Sequence, residues 1–161
     1  MQTLAVQFLD QGLHRILFDA MPMPVFVVDE DVSILEYNSA AAKLILPPEP
    51  NGHPPRAGDV LHCINAAKSP AGCGRASACP DCPVRNSVLA AFRGQTVRRQ
   101  PSSLELLADG KQIKVNLQVS CQPLTYQGKQ WALLILEGLN DFVSPSTPSP
   151  HPPLRPSPRV S

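Results

Sequence analysis

Hydrophobic residues recur at helical spacing at the start of the chain, with polar residues between them. This pattern predicts an amphipathic helix over residues 1–20, which the prolines of the following MPMP segment end. Its apolar positions are Val6, Leu9, Leu13, Ile16, Leu17 and Ala20.

The next segments predict alternating short strands and helices. PVFVVDEDVSILEYN predicts two strands around an acidic turn at residues 29–31. SAAAKLIL predicts a short helix with Ser39 as its cap, and DVLHCINA predicts another brief helix. PVRNSVLAAFRG predicts a longer helix, with Pro83 in its first turn and Gly94 at its end.

The last third of the body has the pattern of strands. SLELLADGKQIKVNLQVSCQPL predicts a hairpin over Asp109-Gly110, a favoured two-residue turn. Apolar and polar residues alternate over 113–121, so one face is expected to be buried, with Cys121 in the core. WALLILEGL predicts the final strand. The fold class is therefore α+β, an antiparallel sheet with helices inserted between strands two and three.

Residues 142–161 differ in composition from the body. They are rich in proline and serine and have little apolar content, so we expect a disordered, extended tail. The PLRPSP segment has the spacing of a ligand for proline-binding modules, but an unbound end explains it as well. The expected domains are a cap helix over 1–20, a folded domain over 21–141 and this tail.

The charge balance excludes several classes of partner. Among 161 residues, 14 Lys and Arg balance 13 Asp and Glu, and aromatic residues make up 5%. We therefore expect no binding to nucleic acid or to a membrane surface. Neither a signal peptide nor a spanning helix is visible. These features predict a cytoplasmic protein, in which thiols stay reduced.

Four cysteines lie close together in the middle of the chain, with the spacing C-x9-C-x5-C-x2-C. Four thiolates that converge on one centre satisfy a tetrahedral zinc ion or a cubane iron–sulfur cluster. Arg75, Arg85 and Lys68 lie near in sequence to offset the negative charge of either centre. The sequence leaves the metal undecided. The predicted metal ligands are Cys63, Cys73, Cys79 and Cys82.

Other interpretations of the cysteines stay open at this point. They could pack as buried residues or form disulfides, although a Gly-rich loop and a reducing compartment disfavour both. The CPDC segment could also serve a thiol oxidoreductase, but that chemistry normally needs an apolar strand directly before it. His62 is expected to be a helix-surface residue rather than a fifth ligand.

The order of these elements resembles the PAS domain family. The resemblance runs from Leu17 to Asp141 and includes the VVDED…ILEYNSAA segment, in which Asn38 opens a helix. It also extends to the cysteine-bearing PAS domains of some bacterial sensor proteins, certain of which hold an iron–sulfur cluster. Such domains bind small molecules, haem, flavin or metals between sheet and helices, and they signal through dimerisation or flanking helices.

The resemblance implies a stand-alone sensory module that binds a metal centre through the four cysteines and signals by protein–protein interaction. A homodimer and a separate signalling protein such as a sensor kinase are the expected partners. No catalytic residues are expected, and a further small ligand in the PAS cavity stays open. The alternatives are a zinc-stabilised interaction module without sensing and a CxxC thiol-disulfide oxidoreductase.

Overall fold

The computed structural model describes residues 12–44 and 54–139. Five strands and a set of short helices occupy these ranges. In chain order they are α1 (His14–Ala20), β1 (Val25–Val28), β2 (Ile34–Tyr37), α2 (Ser39–Ala42), α3 (Ala57–Val60), α4 (Ile64–Lys68), a 3₁₀ turn (Cys79–Asp81), α5 (Pro83–Phe92), β3 (Val97–Ala108), β4 (Lys111–Tyr126) and β5 (Lys129–Glu137).

The strands form one antiparallel sheet in the order β2-β1-β5-β4-β3. The first and last strands of the chain are therefore neighbours, and β1 lies inside the sheet although it has only four residues. The helices α2 to α5 all lie between β2 and β3 in sequence. This architecture confirms the predicted α+β class and the position of the helical insertion.

Two tight turns connect the three long strands. Asp109 and Gly110 both adopt left-handed backbone angles, with φ of 50° and 74°, and Gln127 and Gly128 do the same at 50° and 73°. Two consecutive left-handed residues match the twist of an antiparallel hairpin. The predicted hairpin over Asp109-Gly110 is confirmed.

The core lies between one face of the sheet and α5. Alternate β4 residues from Val115 to Cys121 are buried, as the period-two pattern predicts. Helix α5 packs against β3, β4 and β5, and it buries Val84, Val88 and Ala91. Cys121 is thereby confirmed as a core residue.

Asn38 joins β1 to the start of α2. Its Oδ1 accepts hydrogen bonds from the backbone N–H of Val25 and of Ala41, both at 3.0 Å. Its Nδ2 donates to the carbonyl oxygens of Met21 and Met23. The side chain is fully buried. Asn38 therefore caps the helix, as the PAS resemblance implies, and also fixes the segment that enters β1.

Three local predictions need correction. The cap of α2 is not Ser39, which is the first helical residue. The single helix predicted around DVLHCINA is two short helices, because His62 takes a left-handed φ of 57° between them. That conformation also means that His62 does not lie on a helix surface.

Of the predicted N-terminal helix, α1 falls within the described residues, whereas residues 1–11 lie outside them. No α1 residue is buried, and Arg15 joins the helix to β2 through Glu36 at 3.2 Å. The predicted tail over 142–161 also lies outside the described residues. None of the described helices is both long and apolar enough to cross a membrane.

We predict that Asn38→Ala lowers the free energy of unfolding by about 3 kcal/mol, because it leaves several buried backbone groups without partners. Urea denaturation measures the change. The exposed Asn116→Ala on β4 is the control and should change stability by less than about 0.5 kcal/mol. Equal effects of the two substitutions would contradict the role assigned to Asn38.

Candidate functional site

The four clustered cysteines come from three neighbouring segments. Cys63 directly precedes α4, Cys73 lies in the loop after α4, Cys79 begins the 3₁₀ turn, and Cys82 lies between that turn and α5. All four line one cavity of about 30 Å³, which Leu104 of β3 closes on the sheet side. All are free thiols. The fold thus brings the predicted ligand residues to one place.

Their present spacing is not that of a finished coordination site. Within residues 12–44 and 54–139, no three His, Cys, Asp or Glu side chains converge closely enough to hold a metal ion. Joint binding of a metal by the four thiols therefore remains a prediction, and it requires small movements of the cysteine-bearing segments.

The Cys73 sulfur lies against α3. A side chain at Gly58 would place its Cβ 2.7 Å from Cys73 Sγ and 3.4 Å from Cys63 Cβ. The absence of a side chain at Gly58 therefore lets the two cysteine segments approach each other. Burial raises the pKa of Cys73, although a backbone hydrogen bond from Gly58 and the charge of Arg85 oppose the shift.

Cys82 stands at the amino end of α5. Burial raises the pKa of Cys82, and the nearby Cys63 and Cys79 raise it further, while backbone hydrogen bonds from Arg85 and Val84 oppose the shift. Those N–H groups belong to the first turn of the helix, which favours negative charge. These N–H groups can therefore stabilise a Cys82 thiolate, provided that a bound cation offsets the cost of burying its charge.

Asp59 of α3 holds the loop that carries Cys73. Its Oδ1 accepts from the backbone N–H of Cys73 at 2.8 Å, and its Oδ2 accepts from the N–H of Arg56 at 3.2 Å. Gly72 has a φ of 80°, and a side chain there would meet Asp59 Oδ1 at 2.7 Å. The glycine before Cys73 is required for this contact.

Asp31, in the β1–β2 turn, forms ion pairs with three arginines. Its carboxylate lies 2.8 Å from Arg56 Nε, 3.0 Å from Arg85 Nη1 and 3.1 Å from Arg75 Nη2. Arg56 and Arg85 keep only 13% and 14% of their side chains exposed. We call Asp31 and these three arginines the Asp31 clamp.

The clamp holds the pKa of Asp31 below its ordinary value. Burial alone would raise this pKa, but hydrogen bonds from Arg56 and Arg85 and the charges of Arg56 and Arg75 outweigh burial. The turn itself is fixed by Asp29, whose Oδ1 accepts from the N–H groups of Asp31 and Ser33. The carboxylate of Asp31 is thus charged and held in place at neutral pH.

Arg85 connects the clamp to the cysteines. Its guanidinium packs directly on Gly74, next to Cys73, where a φ of 84° and the lack of a side chain make room for it, and its charge opposes the burial that raises the pKa of Cys73. The sequence indicates Arg85 and Arg75 as balancing charges, whereas residues 29–31 have only the pattern of a turn. In the sequence, the features that relate to the Asp31 clamp are the three arginines near the cysteines and the acidic turn at residues 29–31.

The remaining candidates lie away from this contact network. His62 precedes Cys63, and its Nε2 is buried without a hydrogen-bond partner among the described residues. Lys68 is exposed at the end of α4. Cys121 does not line the cavity, and burial raises the pKa of its thiol to about 12, which makes it unreactive.

Comparisons with known proteins agree with this architecture. The family profile described as PAS domain matches residues 12–68. The chain is similar to the PAS domain of nitrogen regulation protein NR(II) from Vibrio parahaemolyticus, at 15% identity and a TM-score of 0.51, over 80% of this chain and 99% of that one.

Two further solved structures are similar at lower TM-scores. One is a domain of the sensory box sensor histidine kinase/response regulator from Geobacter sulfurreducens, at 17% identity and a TM-score of 0.47, over 81% of this chain and 96% of that one. The other is the PAS domain of an HTR-like protein from Haloarcula marismortui, at 20% identity and a TM-score of 0.41, over 78% and 93%. No curated protein sequence matches the chain.

The chain has the fold of a PAS domain, and the resemblance predicted from its sequence is confirmed. PAS domains are modules of sensing and signalling. The cysteine cavity and the Asp31 clamp are the features of this particular chain that need a functional account.

We predict that Asp31→Asn lowers the free energy of unfolding by about 1–2 kcal/mol at neutral pH. This figure lies between those of exposed and buried ion pairs, because Asp31 keeps 36% of its side chain exposed. Since the folded-state pKa lies below the ordinary 3.8, the contribution is complete above that value and is lost as the pH falls through the folded-state pKa.

Urea denaturation of wild type and variant between pH 7 and pH 2 checks this expectation. The exposed Glu30→Gln, in the same turn, is the control for loss of one negative charge. A difference between wild type and Asp31→Asn that grows on acidification would contradict the clamp.

Proposed function

We propose that this chain is a sensory PAS module in which Cys63, Cys73, Cys79 and Cys82 bind one metal centre, and that the module passes the state of this centre to another protein. The observation that carries the proposal is that four free thiols from three segments line one cavity. Metal binding would join segments that have little apolar content of their own.

The donor set fits a metal that prefers sulfur. Four thiolates around a divalent ion leave a charge of about −2 by formal counting. Arg85 beside Cys73, and the first-turn N–H groups of α5 beside Cys82, lie where they would offset this charge. Hydrogen bonds to ligand sulfurs are the usual outer-shell support of such centres.

The size of the cavity favours a single ion. At about 30 Å³ it has room for one or two water-sized groups. One zinc ion takes four sulfur ligands at about 2.3 Å, so its binding would bring the cysteine-bearing segments closer together. A cubane cluster holds further iron and sulfide atoms and therefore needs more room than one ion. We propose zinc as the first candidate and an iron–sulfur cluster as the alternative.

The surroundings of the CPDC segment argue against thiol-disulfide exchange. Such chemistry normally needs an apolar strand directly before the first cysteine, whereas residues 69–78 lie outside any helix or strand. We accordingly propose a binding and signalling role rather than a catalytic one. The chain's reduced thiols suit a cytoplasmic location.

An exposed apolar face on α1 supports self-association. Ile16 and Leu17 are 64% and 56% exposed, and Leu13 is also exposed. Leu35 and Tyr37 on the edge strand β2 are also exposed apolar residues. We propose that two copies pair through α1 and β2, and that the pair contacts a separate signalling protein such as a sensor kinase.

We predict that protein purified without oxygen carries one zinc ion per chain, measured by elemental analysis together with protein concentration. Cys73→Ser should weaken zinc binding by at least about 100-fold, because it removes a ligand and not merely an outer-shell partner. Competition with a chromogenic chelator measures the affinity. Cys121→Ala is the matched control and should leave the affinity unchanged.

Two results would contradict this prediction in different ways. Brown protein that contains iron and inorganic sulfide, as a sulfur-ligated cluster does, would replace zinc by an iron–sulfur cluster. Metal-free protein whose four site thiols are freely alkylated in the native state would remove the metal centre altogether.

We predict that Ile16→Glu together with Leu17→Glu shifts the protein from dimer to monomer, because charge on the α1 face opposes its burial. Sedimentation velocity measures the distribution. Tyr126→Glu, at another exposed apolar residue, is the control and should leave the dimer intact. A wild-type protein that is monomeric at every concentration tested would refute the proposed pairing.

A further inference from the structure

We infer that Asp31 is the positioning residue of the four-cysteine site: through its arginines it holds the segments that carry the cysteines against the β1–β2 turn. The inference rests on the proposed function in so far as the site binds a metal. Its structural part concerns the thiols alone and can be tested on metal-free protein.

Each arginine of the Asp31 clamp belongs to a segment that carries or contacts a cysteine. Arg56 directly precedes α3, whose Gly58 carbonyl accepts the N–H of Cys63 at 2.9 Å. Arg75 lies two residues after Cys73, and Arg85 lies three residues after Cys82 in α5. One carboxylate therefore contacts all three segments, which are 25, 44 and 54 residues away from it in sequence.

The segments are short or irregular and are held by tertiary contacts. Helices α3 and α4 have four and five residues, too few to be stable alone, and residues 69–78 lie outside any helix or strand. The His62 carbonyl accepts from the Leu107 N–H at 2.8 Å, and Asp59 accepts from the Cys73 N–H at 2.8 Å. The clamp adds a requirement that these contacts do not meet, because the two nearly buried arginines need a counter-charge.

The position of Asp31 does not depend on the cysteines. Asp29 Oδ1 fixes the turn through Asp31 N–H at 3.0 Å and Ser33 N–H at 2.8 Å, and β1 pairs with both β2 and β5. Val32, the next residue, is buried and lines the cysteine cavity. The sheet thus presents the carboxylate at a fixed point beside the site.

Arg85 makes the connection direct, because it pairs with Asp31 and also lines the cysteine cavity, where its guanidinium packs on Gly74 next to Cys73. Removal of the carboxylate leaves a nearly buried guanidinium without its counter-charge, and the guanidinium must then move toward water or toward sulfur. Either movement displaces Cys73 from its place against Gly58. The same reasoning applies to Arg56 and the segment that leads to Cys63.

The test uses metal-free, reduced full-length protein and follows alkylation of each cysteine by mass spectrometry. In Asp31→Asn we expect Cys63, Cys73 and Cys82 to be alkylated roughly tenfold faster than in wild type. Zinc affinity should fall by roughly 10- to 100-fold, as for other outer-shell residues. Asp31→Glu, which retains the charge, should recover at least half of each effect, and Glu30→Gln should match wild type.

Cys121 provides an internal control, because its thiol is buried in the core and does not line the cysteine cavity. Global unfolding exposes Cys121 together with the site cysteines, so the acceleration of Cys121 measures the loss of overall stability in Asp31→Asn. We expect the site cysteines to be accelerated clearly beyond Cys121. Wild-type alkylation rates at the site cysteines in Asp31→Asn would overturn the inference. Acceleration of the site cysteines no greater than that of Cys121 would also overturn it, since Asp31 would then act only on overall stability.

The two proposals fail separately. If the wild-type protein binds no zinc but Asp31→Asn selectively exposes the site cysteines, the proposed metal centre is refuted and the positioning role is supported. Zinc bound with equal affinity by wild type and Asp31→Asn retains the metal centre and ends the positioning role.

Discussion

The Asp31 carboxylate accepts hydrogen bonds from arginines of three separate segments, and those segments carry the four clustered cysteines. In the region between β2 and β3, this interaction joins the cysteine-bearing segments to the sheet, together with backbone bonds from Ala57 to Val32 and from Leu107 to His62. The sheet supplies the fixed point, since Asp31 lies in the turn between two of its strands. Loss of the carboxylate would leave two nearly buried positive charges beside a group of thiols.

Around the cavity, burial disfavours the thiolate form of the cysteines, whereas Arg85 and backbone N–H groups favour it. Burial raises the pKa of Cys73 and of Cys82, so without a metal these thiols stay protonated. Arg85, backbone N–H groups and the start of α5 favour the thiolate form. A metal ion that binds the sulfurs would shift this balance, and Arg85 would carry the change to Asp31 and the β1–β2 turn. That connection links the proposed centre to the strands next to the exposed face of α1.

Local patterns in the sequence predicted the strands, the hairpin over Asp109-Gly110 and the helix that begins at Pro83, because alternation and turn chemistry act between near neighbours. The spacing of the cysteines likewise indicated one site. The Asp31 clamp could not be predicted from the sequence, since Asp31 contacts arginines 25 to 54 residues away. Ion pairs between distant residues produce no periodic pattern along the chain. The left-handed conformation of His62 and the size of the cavity also arise only from tertiary packing.

X-ray absorption at the metal edge of protein purified without oxygen tests the central claim most directly, because it reports the element, the ligand atoms and their distances together. The account predicts zinc with four sulfur neighbours at about 2.3 Å and no second metal nearby. An iron edge with iron neighbours, or a zinc shell made mainly of nitrogen and oxygen, would contradict a single ion held by Cys63, Cys73, Cys79 and Cys82.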